Sequence, residues 1–94
     1  MLEIELIKLN DRLNKIKDKV LFYKLFVSKL DDDLIDFDIS KMLKILEMKV
    51  MKVEPHKIEE NMDSFYFLLD LWEKDMERIE DYLCDYHDLD KFEH

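Results

Sequence analysis

From Leu2 onward the apolar residues step by alternating fours and threes, through Leu6, Leu9, Leu13, Ile16, Val20, Tyr23, Val27 and Leu30. Heptad spacing of this kind keeps one stripe on one face, so it predicts an α-helix over residues 2–30, about 43 Å long. A second stripe, Ile39, Leu43, Leu46, Val50 and Val53, predicts a shorter helix over 39–53. A third, Ile58, Met62, Phe65, Leu69, Trp72, Met76, Ile79, Leu83 and Tyr86, predicts a helix over 56–88. Stripes of this period pack at shallow crossing angles. The expected fold is therefore all-α, a three-helix bundle with two long helices and a shorter middle one, in a single domain over 1–94.

The breaks between stripes have their own chemistry. The run "DDDLIDFD", residues 31–38, sets acid at the C-terminal end of the first helix, where the helix dipole disfavours it, and Asp38 is the expected cap of the second. Pro55 pushes Glu54 out of helical conformation and suits the first turn of the third helix. The alternative is a kink at Pro55 in one continuous helix over 39–90.

Two windows depart from the amphipathic rule. "VLFYKLFV" (20–27) and "FYFLLDLW" (65–72) are each apolar at seven of eight positions, with Lys24 and Asp70 the lone charges. Helices apolar all round are buried all round. In an up-down-up chain the middle helix drops back about 22 Å, which brings 65–72 to the height of 24–31 and makes the windows meet. The expected core is then Val20, Phe22, Phe26, Phe65, Phe67 and Trp72, and Lys24 with Asp70 forms a candidate buried pair, the alternative being two side chains that reach solvent. A short middle helix would leave the seams beyond these windows uncovered. Leu6, Leu9 and Leu13 at one end, with Met76, Ile79, Leu83 and Tyr86 at the other, are therefore the expected interface of a homodimer.

Composition narrows the function classes. The chain holds no Gly, Ala, Thr or Gln and one Pro, so the residues that tight hairpins need are missing. At 41% charged and 48% apolar it is too hydrophobic for disorder. Its net charge of −9 argues against direct contact with nucleic acid or an anionic membrane. A single cysteine, Cys84, makes no internal disulfide, and neither a basic leader nor a membrane-length apolar run is visible, so the expected compartment is the cytoplasm. Charge is segregated along the chain: residues 1–30 and 39–53 each carry a net +3, 31–38 carry −5, and 54–94 carry −10. Two copies of the third helix would repel, whereas the first or second helix would complement it.

Candidate chemistry is sparse. Cys84 and His87 lie one turn apart with Asp81 or Asp88 nearby, but zinc takes four ligands, and no second Cys/His pair follows. Glu59, Glu60 and Asp63, then Glu77 and Glu80, resemble the EExxE…ExxD magnesium set of the all-α nucleotide pyrophosphohydrolases, with the third and last positions changed. That resemblance implies carboxylate-bound magnesium and nucleotide hydrolysis, and the two clusters, about 26 Å apart on one helix, converge only across a dimer. The long, short, long outline is similar in size to the dimeric all-α chorismate mutases, whose anionic substrate implies an Arg cluster; here only Arg12 and Arg78 are present. The Asp-rich run lacks the Gly of a calcium-binding loop. No metal, cofactor or catalytic residue is assigned.

The leading reading is a non-enzymatic adaptor, regulator or structural subunit that binds itself and another protein through helical seams. In the alternative, Glu73, Glu77, Glu80, Asp81, Asp85 and Asp88 form an acidic face along about 22 Å of helix, which imitates phosphates and inhibits a nucleic-acid-binding protein.

Overall fold

Among the residues that the computed structural model describes, 2–92 with the side chains of Leu2, Asp32 and Phe92 excepted, all regular structure is helical. The packing of Leu2, where the first stripe begins, and of Asp32 in the acidic run thus lies outside the described residues, as do the ends of the 1–94 domain. The order is α1 (Leu2–Ser28), a 3-10 turn (Asp32–Leu34), α2 (Phe37–Met51), α3 (Pro55–Glu60), α4 (Met62–His87) and α5 (Leu89–Phe92). The two long helices α1 and α4 and the shorter α2 pack pairwise into an all-α three-helix bundle, and α3 fills a position against α1 and α4.

Local chemistry sets the element ends. Asp36, not Asp38, caps α2: its carboxylate accepts from the backbone N–H of Asp38 at 2.8 Å and of Ile39 at 3.4 Å. Helical backbone therefore begins at Phe37, and Asp38 sits in the first turn, where its charge meets the positive end of the dipole. Glu54 is extended (φ −101°, ψ 144°) and Pro55 opens α3, so the chain does not run on as one helix through Pro55. The expected third helix over 56–88 is itself interrupted, at Asn61 (φ −152°, ψ 76°), whose side chain accepts from the Ser64 N–H at 3.4 Å and caps α4. At the far end Asp88 adopts the left-handed conformation (φ 57°, ψ 38°) and donates its N–H to the Leu83 carbonyl, a closure that folds Leu89 back into the core.

The break at Asn61 changes the register of the bundle. Arg12 contacts Asp70 and Glu73, while Lys19 and Tyr23 contact Glu80, so α1 and α4 run parallel and level along nearly their whole lengths. Window 20–27 lies beside the second half of α4, and window 65–72 lies beside the first half of α1. The two do not meet, because α3 carries the chain on along α1 before α4 starts.

Register also decides burial. With α4 level with α1, each long helix covers the other's seam: Leu9, Leu13, Met76, Ile79 and Leu83 are all buried within this one chain, Leu9, Ile79 and Leu83 completely at 0% exposure. They are core and not a projecting interface; of that expected set only Leu6, half-buried, and Tyr86, exposed, retain surface. Ile58 of α3 and Leu89 close the two ends of the same core. Neither window is buried all round. Val20, Tyr23 and Phe26 are inside and Phe22 half-buried, but Leu21, Lys24 and Leu25 face water. In the other window Leu69 and Trp72 are buried and Phe65 half-buried, while Phe67, expected in the core, is 69% exposed. Lys24 and Asp70 do not pair: Lys24 reaches Glu47 at 2.9 Å on the surface, and Asp70 takes Arg12 at 2.7 Å. Among the described residues no helix is long and apolar enough to cross a membrane.

Candidate functional site

Apolar residues that lie off the core seams are the ones that keep contact with solvent. On α2 the seam Ile39, Leu43, Leu46 and Val50 is buried, and Met42, Ile45 and Met48 stand outside it. On α4 the seam from Leu69 to Leu83 is buried, and Phe67 and Leu71 stand outside it. Since α2 and α4 lie side by side, Met42, Ile45, Leu46, Leu71 and Trp72 come together in one open groove of about 270 Å³. Leu46 and Trp72 form its buried floor, and Ile45 and Leu71 are exposed walls.

The rim is charged in an ordered way. Lys41 and Lys49 edge the groove on α2, Asp75 edges it on α4, and Asp38 lies at the end where α2 begins. Lys44 and Lys52 extend the exposed positive face of α2. The groove thus combines exposed apolar walls with a charged rim.

The α1–α4 side is different, since its charges are matched internally. A second groove there is lined by Lys15, Ile16, Lys19, Glu73, Met76, Glu77 and Glu80. Arg12 forks onto α4: its Nε donates to Glu73 at 3.3 Å, and its Nη2 donates both to Glu73 and to Asp70, the latter at 2.7 Å. The hydrogen bond to Glu73 is the main cause that raises the Arg12 pKa above its already high value, with Asp70 adding to it and partial burial opposing it. The Tyr23 hydroxyl donates to Glu80, which also lies 3.8 Å from Lys19.

These contacts split the acidic face read from the sequence. Glu73 and Glu80 turn toward α1 and its cations, whereas Glu77, Asp81, Asp85 and Asp88 are exposed. Glu59 and Glu60 stand on α3, separated from Glu77 and Glu80 on α4 by the break at Asn61. No group of three or more His, Cys, Asp or Glu among the described residues is placed to hold a metal ion. Cys84 is half-buried, and His87 Nε2 lies 3.3 Å from the Tyr82 hydroxyl, which accepts from the Asp36 N–H at 2.9 Å and ties the end of α4 to the start of α2.

Fold and site together define an all-α three-helix bundle with an open apolar groove between its short helix and one long helix. Comparison with protein-family models, with curated proteins and with solved structures returns no match.

Proposed function

We propose that this protein works by docking other protein surfaces in its α2–α4 groove, as a small cytoplasmic adaptor or regulator without catalysis of its own. One observation carries the reading: Ile45 and Leu71 are exposed on either side of a groove floored by Leu46 and Trp72, in a bundle whose seams are already filled. Ile45 and Leu71 keep 39% and 45% of their surface in water, and burying that remainder under a partner surface recovers roughly 1 kcal/mol per side chain. Support also comes from the charged rim, which orients a partner without filling the apolar floor. The internal matching of Glu73 and Glu80 weakens the phosphate-imitating alternative, since a mimic needs its carboxylates unpaired.

The test is site-specific photocrosslinking in the producing cell. A photoreactive phenylalanine at Leu71 is expected to give discrete protein adducts, and the same group at Leu21, on the outer face of α1, to give none. No adduct from Leu71, or equal labelling from both positions, overturns the reading. Adducts that form from Asp81 or Asp85 instead, and vanish at high salt, transfer the function to the acidic face.

A further inference from the structure

We propose that the occupant of the α2–α4 groove is a second copy of this chain, turned by a two-fold axis so that α2 of one protomer lies over α4 of its partner. This rests on the reading of the groove as a docking surface and names what docks there.

The walls of the groove carry opposite charge. The α2 wall carries Lys41 and Lys49, with Asp38 only where the helix begins, and its one Glu, Glu47, is turned away onto Lys24 of α1. The α4 wall presents Asp75, on a helix that carries eight carboxylates against Lys74 and Arg78 and gives Asp70, Glu73 and Glu80 to Arg12 and Lys19 of α1. A surface of one sign calls for a foreign partner of the other sign. A surface half positive and half negative, with the halves on neighbouring antiparallel helices, is complementary to itself after a two-fold rotation. The rotation sets each lysine edge against an acidic helix and keeps the two acidic helices apart, which the chain's net charge of −9 otherwise opposes.

The apolar groups obey the same symmetry. Ile45 and Leu71 face the groove, Met48 follows Ile45 by one turn, and Phe67 precedes Leu71 by one turn, all four exposed. Each protomer thus offers two apolar side chains from α2 and two from α4, and the rotation exchanges the pairs. A patch about 22 Å long and two helices wide covers roughly 450 Å² per protomer. That is at the low end for a specific interface, so the dimer forms and dissociates over the micromolar range of concentration.

Sedimentation velocity on the full chain tests this. Mass is expected to rise from one chain to two between low-micromolar and near-millimolar concentration. Lys41→Glu/Lys49→Glu makes both walls acidic, and Asp75→Lys removes the acid of the other wall; each variant alone should self-associate at least tenfold more weakly while keeping wild-type helicity by circular dichroism. Mixing the two restores matched walls at both contacts, and a heterodimer of wild-type strength is expected. Leu21→Glu, far from the groove, should leave the mass curve unchanged. A chain monomeric at every concentration overturns the self-pairing, as does a dimer indifferent to both charge reversals or a mixture that fails to recover. The crosslinking at Leu71 separates the two levels: adducts of foreign mass on a monomeric chain refute the second copy and keep the docking groove, whereas no adduct at all refutes both.

Discussion

Arg12 shows how one side chain holds two helices in register. Its guanidinium is planar, with several donors in fixed directions, so it takes Asp70 and Glu73 together, two acids three positions apart on α4. Arg12→Met keeps the aliphatic stem and removes the fork; an expected loss of about 1 kcal/mol, read from the urea midpoint, reflects the partly exposed setting. Arg12→Lys should recover less than half of that, since an ammonium is a point charge and cannot fork. Asp88 is the opposite case, a residue that bears a small strain at φ 57°. Asp88→Gly removes the side-chain clash of the left-handed conformation and should raise stability by about 0.5 kcal/mol in the same assay. Neither role could be read from the sequence. Arg12 is one of two arginines with acids available in many places, and Asp88 is one of many aspartates; the position of a neighbouring helix or the direction of a chain reversal singles each out.

Caps decide where the helices begin. Asp36→Ala and Asn61→Ala should each destabilise by about 1 kcal/mol, because each leaves N–H groups at a helix start without their acceptor. Asp38→Ala should have the smaller effect of a first-turn charge near the dipole, about 0.3–1 kcal/mol, and the order Asp36 above Asp38 in chemical denaturation checks the assignment. The helices themselves were legible from the heptad stripes, and their ends agree to within a few residues. What the stripe concealed was the break at Asn61. Ile58, Met62 and Phe65 continue the four-three rhythm across it, and a periodic pattern scores the face a residue lies on, not whether the backbone between is helical. Asn61 followed by an acid and Ser64 was a capping signal present in the chain, masked by apolar spacing that ran through it.

At the scale of the molecule the bundle measures 46 × 25 × 17 Å, and its core runs continuously from Leu9 to Leu89. Leu9→Asp or Leu83→Asp should therefore abolish cooperative folding, with loss of helical circular dichroism, because each buries an unpaired carboxylate at a penalty above about 4 kcal/mol in a domain of ordinary stability. A well-folded monomer from either variant would instead return these residues to an interface. The candidate site was half legible: Ile45, Met48, Phe67 and Leu71 are apolar positions off the seams, visible in the sequence, but Phe67 and Leu71 were absorbed into a window read as buried, and nothing along α2 alone shows what Ile45 and Met48 lie beside. Only the packing of α2 against α4 gathers Met42, Ile45, Leu46, Leu71 and Trp72 into one groove and leaves its mouth open.

The local pattern by itself determined that this chain forms helices, which face of each is apolar, that the chain breaks over 31–38 and at Pro55, and that charge is segregated between α2 and α4. These follow from backbone geometry and side-chain type within a few turns of each residue. The tertiary structure alone decided which seam covers which. A six-residue α3 inserted before α4 shifts the long helices until their seams close on each other, and so buries Leu9, Leu13, Met76, Ile79 and Leu83 while Ile45 and Leu71 stay exposed at the α2–α4 groove. Spacing along one helix carries no information about its height relative to another; that is set by the length and direction of the connection and by the burial it permits.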